Sequence, residues 1–323
     1  MFGPADEAAS ECGSDARTMT SGRPPAGVKI EEALRDVFAE AEVDGYLVAR
    51  DLRTGRTVAH AGEEQVVLAS VFKIAILVEL YRQHDSGELD VTEPVTVPLE
   101  GRTEGGTGLS VMCDPVTMSW RDLGSLMMAV SDNAATDVIC ERVGVDRVNR
   151  SLRSFGLTHT VVLGSCKQLF DSVREDLGLE PDASVESVDL TDPAVLGRLR
   201  AVDPSAGTRS TPLEVADLLA RIWSDEVASA EACSEMRRVL GQQVWPHRLA
   251  AGFPEDDVTT SGKTGTLPPW RNEAGVVEYP DGAKYAVATF TRSRRLALTH
   301  PAADAAIGRS SRLAVDFLRQ GST

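Results

Sequence analysis

The strand-like stretches of this chain lie at its two ends, and the long middle is patterned for helix. Near the start, Ile30, Leu34, Val37 and Phe38 recur at helical spacing, and YLVARDLRTGRTVAHAG then alternates about a turn at Thr54-Gly55. Near the end, DVTTSGKTGT, NEAGVVEYP and KYAVATFTR read as strands, with Pro280-Asp281-Gly282 turning between the last two, before a closing helix from about Ala302 to Arg319. Strands so far apart in sequence must meet in one antiparallel sheet, which makes the helical middle an insertion. The expected class is α+β: a sheet domain of residues 28–67 with 212–323, an all-α domain of residues 68–211, and an active-site cleft between them. The first 27 residues, rich in Gly, Pro, Ser and acids, are expected to form a mobile arm.

Within the insertion, Ser70 and Lys73 open an apolar helical run, ASVFKIAILVELYRQ, three positions apart and so on one face. Apolar surroundings favour a lysine amine that accepts a serine proton, and the start of a helix favours the charge that develops on the attacked carbonyl. By chance alone, S-x-x-K is expected about 0.4 times in a chain of this composition, so it carries little by itself. Ser131-Asp132-Asn133 and Lys263-Thr264-Gly265 are far rarer, with chance expectations of about 0.02 and 0.03. Two of the five lysines fall in these motifs. Taken singly, S-D-N also serves as a helix cap and K-T-G as a turn or edge strand; together, in this order, the three offer a nucleophile, a proton relay, a side-chain amide that can hold a substrate carbonyl and an anion holder.

The trio resembles class A β-lactamases and penicillin-binding proteins. LASVFKIAILVELYRQ, MMAVSDNAATDVI, TPLEVADLLARI and GKTGTLPPWRNEAGVVEYPDGAKYAVATFTR are similar to the corresponding segments of that family. The resemblance implies a β-lactamase/DD-peptidase-like fold with a five-stranded antiparallel sheet flanked by helices. It implies that Ser70 forms the acyl-enzyme, Lys73 and Ser131 move protons, Asn133 binds the substrate amide, and Lys263 and Thr264 hold a substrate carboxylate. The backbone amides of Ser70 and Thr266 would form the oxyanion hole.

One part of the family pattern is missing. The E-x-x-L-N glutamate that class A enzymes use to activate water is not found downstream of S-D-N, where GSCKQLFDSVREDLGLE puts Cys166, Lys167 and Gln168. Asp171, Glu175, Asp176 and Glu180 are nearby acids, better read as solvated helix or loop positions. Slow β-lactam hydrolysis is therefore expected, leaving open an esterase or transacylase, or a penicillin-binding sensor without turnover.

The remaining features narrow the partners. A formal charge of -16 opposes nucleic acid and anionic lipid, so the expected partner is a small acyl substrate carrying a carboxylate. No apolar run reaches membrane-spanning length, and the start lacks the pattern of a secretory signal, so a cytoplasmic location is expected. Five cysteines without a C-x-x-C pair read as free thiols, and neither a metal nor a cofactor is called for. A P-loop at Gly262-Lys263-Thr264 would need glycine where Asp257 stands, and none of the five histidines accompanies a G-x-S-x-G elbow. Arg271, Arg292 and Arg294 could assist a carboxylate but read better as salt-bridging residues.

Overall fold

A computed structural model describes residues 30–320. The expectations for the N-terminal arm and for Cys12 fall outside that range. In chain order the elements are α1 (Ile30–Glu40), β1 (Val43–Asp51), β2 (Thr57–His60), β3 (Val66–Val67), α2 (Lys73–Asp85), β4 (Pro94–Val97), β5 (Val116–Ser119), α3 (Trp120–Ala129), α4 (Asn133–Val143), α5 (Val145–Ser154), α6 (Cys166–Leu177), α7 (Pro193–Leu196), β6 (Arg209–Ser210), α8 (Pro212–Trp223), α9 (Ala230–Leu240), β7 (Thr259–Leu267), β8 (Trp270–Glu278), β9 (Lys284–Ser293) and α10 (Pro301–Gln320).

The five long strands form one antiparallel sheet in the order β2-β1-β9-β8-β7, so the amino-terminal hairpin joins the carboxy-terminal meander through β1 and β9. Side chains alternate between two buried faces. Leu47, Ala49, Tyr285 and Val287 join Leu34, Phe38, Val315 and Leu318 under α1 and α10. Val48, Ala286, Ala288 and Phe290 face the helical side of the molecule instead. Cover on both faces explains why β8 and β9 are buried almost throughout. Gly282 takes a φ of +85° in the turn between them, and Asp281 Oδ1 accepts from Ala283 N at 3.0 Å.

The helical insertion leaves and rejoins the rest of the chain at one place. β3 pairs with β6, so residues 66–67 lie beside 209–210, and Asn272 on β8 donates to Val67 O at 2.9 Å. The middle is mainly helical, as its pattern indicates, with a short β4·β5 pair added. α9 packs on α2, α3 and β7, bridging the helices to the sheet edge. The polar section after Asp171 is not wholly irregular: α6 runs from Cys166 to Leu177, begun by a capping box between Ser165 and Gln168 and stopped at Gly178 in the left-handed region. Its polar outer face hides the periodicity that marks the other helices. No helix among the described residues is long and apolar enough to cross a membrane.

Candidate active site

Ser70 sits in a 3-10 turn, Ala69–Phe72, that runs directly into α2 at Lys73. Ala69 has a φ of +44° and Ser131 a φ of +60°, conformations that L side chains adopt rarely and that persist where the surroundings enforce them. Ser131 is followed by Asp132, the buried N-cap of α4, whose carboxylate accepts from Ala135 N at 3.0 Å and from Leu109 N at 2.6 Å. The motif is thus a helix cap as well as a site, because the cap fixes where Ser131 and Asn133 point.

Lys73 is wholly buried and its Nζ gathers these residues. It donates to Ser131 O at 2.8 Å, Asn133 Oδ1 at 3.0 Å and Ser131 Oγ at 3.3 Å. Asn133 Nδ2 in turn donates to Glu104 O at 2.9 Å. No hydrogen bond joins Lys73 to Ser70 among the described residues, so the hydroxyl nearest to hand for a proton relay is that of Ser131.

Across the cleft, β7 passes close over Ser70. A Cβ on Gly265 would fall 2.7 Å from Leu68 O and 3.2 Å from Ser70 N, which is why only glycine fits between Thr264 and Thr266. Ser70, Ser131, Asn133, Thr264 and Thr266 all line one cleft of about 320 Å3. Lys263 does not. It is buried beneath, donating to Thr264 O at 2.9 Å, and burial and the neighbouring Lys73 hold its amine well below its ordinary value.

The cation that does reach the cleft is Arg248, which no motif signals. It is almost fully buried, with Nη2 donating to Thr266 Oγ1 at 2.7 Å, Nη1 to Gly265 O at 3.0 Å and Asn272 O at 2.8 Å, and Nε to Asp304 Oδ1 at 2.7 Å. Trp245 and His247 line the same side, His247 held below its ordinary value by burial and by the Arg248 charge. The three arginines weighed from sequence are engaged elsewhere: Arg271 binds Asp304, Arg292 lies over Trp270 and Arg294 binds Asp44.

Behind Lys73, α4 presents Asn133, Thr136, Asp137 and Cys140 on one face, at spacings of three and four. Asp137 Oδ1 accepts from Cys166 N at 2.7 Å and Oδ2 from Lys167 N at 3.0 Å, an anion seated on the first turn of α6. This docks α6 with the Cys166 side chain buried. Burial pushes the Cys166 thiol up to about 11, although the Lys73 charge works the other way, so at neutral pH it is no base. Asp171 pairs with Lys167 and Arg174, Glu175 and Asp176 with Arg200, and Glu180 is exposed; none of the four lines the cleft with Ser70.

A model of the β-lactamase enzyme family matches residues 29–318. The chain belongs to the β-lactamase enzyme family. A relative, named as the β-lactamase regulatory protein BlaB of Streptomyces cacaoi, is 29% identical over 302 residues, 89% of this chain and 96% of that protein. Among solved structures, a β-lactamase from Sphaerobacter thermophilus matches with a TM-score of 0.72 at 25% identity, covering 89% of this chain and 97% of the other. A PBP-A variant, captured as an acyl-enzyme with penicillin G, matches with a TM-score of 0.71 at 19% identity, covering 90% and 96%. The β-lactamase fold is the one described above, with its antiparallel five-stranded sheet and flanking helices.

Proposed function

We propose that this family member is acylated at Ser70 by a small, carboxylate-bearing amide, β-lactam or ester, and that water resolves the acyl-enzyme slowly. The observation that carries the reading is the hydrogen bonding of Lys73 to both Ser131 and Asn133 in the cleft that holds Ser70. Ser70 Oγ attacks the substrate carbonyl, and its proton passes by way of Lys73 and Ser131 to the leaving nitrogen or oxygen. The amides of Ser70 and Thr266 receive the oxyanion, a role supported by the close passage of Gly265 over Ser70 N. Asn133 takes the substrate amide. Thr264, Thr266 and Arg248 take the carboxylate, with Lys263 beneath them.

Slow release follows from Cys166. A protonated, buried thiol stands near the sequence position at which class A enzymes carry the glutamate that activates water, so acyl groups either persist or pass to a better nucleophile. A sensor that responds to a long-lived adduct is the second reading, favoured by the same residue and by the regulatory name of the Streptomyces cacaoi relative. Intact-mass measurement after mixing with a penicillin, beside Ser70→Ala, tests the proposal. An adduct that persists and is absent from Ser70→Ala is expected. Rapid clearing with product would overturn slow release, and an unlabelled wild-type protein would overturn penicillin-type substrates.

A further inference from the structure

Helix α6 also holds the segment that leads into the cleft wall, through Arg174. This side chain is largely buried and divides its guanidinium among three partners: Nε donates to Ala183 O at 2.8 Å, Nη1 to Asp171 Oδ1 at 3.0 Å and Nη2 to Glu104 Oε1 at 2.8 Å. The other Glu104 oxygen accepts from Ser184 Oγ at 2.6 Å. Burial alone would raise the Glu104 carboxyl, but the bonds from Ser184 and Glu186 and the Arg174 charge hold it below its ordinary value.

Glu104 immediately precedes Gly105, Gly106 and Thr107, which line the cleft. Its main-chain oxygen is the acceptor for Asn133 Nδ2. The neighbouring Thr103 is fixed separately, by its hydroxyl on Asp137 and by Ser110 Oγ on its carbonyl at 2.8 Å. After Glu104 come two glycines, which stiffen nothing. The orientation of the Glu104 carbonyl therefore depends on its own side chain, and that side chain is held from α6 and the segment after it.

We propose that Arg174 is a positioning residue for amide recognition: by anchoring Glu104 it aims the carbonyl that orients the Asn133 side chain, and so favours acyl substrates with an amide beside the reacting bond. The proposal rests on the reading of Ser70 as the acylated nucleophile and of Asn133 as the amide binder. A merely structural role would weaken all substrates alike.

The test compares acylation rates of wild type, Arg174→Ala and Arg174→Lys by intact mass, using benzylpenicillin and the penicillin nucleus with a free amine in place of the acylamino group. Arg174→Ala is expected to slow benzylpenicillin about tenfold, roughly the worth of one charge-supported contact, while the nucleus changes less than about twofold. Arg174→Lys, which keeps the charge on Glu104, should recover part of the loss. Equal loss on both compounds, or no loss, overturns the proposal. Hydrogen exchange of the unliganded proteins gives a second reading that needs no substrate: faster exchange at residues 103–110 in Arg174→Ala, with β8 and β9 unchanged, is expected. Unchanged exchange there overturns the proposal even if wild type resists penicillins, a result that would separately count against the Ser70 substrate reading.

Discussion

Arg248 Nη2 lies 2.7 Å from Thr266 Oγ1, so the guanidinium and the end of the K-T-G-T run form one wall of the cleft. Replacing Arg248 by alanine should slow acylation by a carboxylate-bearing substrate about 10-fold to 100-fold, the equivalent of about 1.5–3 kcal/mol for hydrogen bonds to a charged group. The methyl ester of the same substrate should be nearly unaffected by the change. Lysine should not restore the rate, because a point charge cannot serve Thr266, Gly265, Asn272 and Asp304 together. Rate ratios for acid and ester across the three proteins check this, and a parallel loss on both would count against carboxylate binding.

The α6 amino terminus is held on Asp137, so its first side chain can be exchanged with the backbone left in place. Cys166→Glu should set a carboxylate beside Thr136 and Lys73 and clear the acyl adduct about 10²-fold faster or more, the usual contribution of a general base. Cys166→Ser should leave clearance unchanged. The gain should fade at low pH as the new carboxyl protonates. An adduct as persistent in the glutamate variant as in wild type would show that something other than a missing base limits release.

Glu273 lies fully buried on β8, accepting from Gln243 Nε2 at 2.6 Å and Leu249 N at 2.7 Å. Burial pushes its carboxyl up from 4.5 to about 7, against the pull of those bonds and of Arg248 and Lys263. The native state therefore keeps a proton that the unfolded chain has already lost. That contribution to stability is complete below 4.5 and disappears as pH rises through about 7. Melting temperatures measured across that window should fall for wild type and fall less for Glu273→Gln. Parallel profiles would mean that Glu273 is ionised throughout.

Much of this arrangement is legible in the chain itself. Ser70, Lys73, Ser131, Asn133, Thr264 and Thr266 stand in short motifs, where spacing on a helix or strand fixes which side chains share a face. The alternation in β1 and β9 and the periodicity of α2 and α8 show for the same reason. Arg248 has no such pattern: it lies between α9 and β7, and its meaning comes from Thr266 and Asp304, far away in sequence. Asp137 and Glu104 are similar, each acting through backbone groups that any residue could supply. Helix α6 hides because its outer face is charged and its buried side offers only Cys166 and Val173 fully to the core.

The order of strands in the sheet has a consequence for synthesis. β1 leaves a ribosome well before its partner β9, because the whole helical insertion lies between them in the chain. Until then the edge of β1 that takes β9 is unpaired and the apolar face has α1 alone to cover it, since α10 comes later still. The nascent chain must therefore hold β1 and β2 in waiting while the helical insertion is free to form, and Ser70 meets β7 only after that insertion has been made.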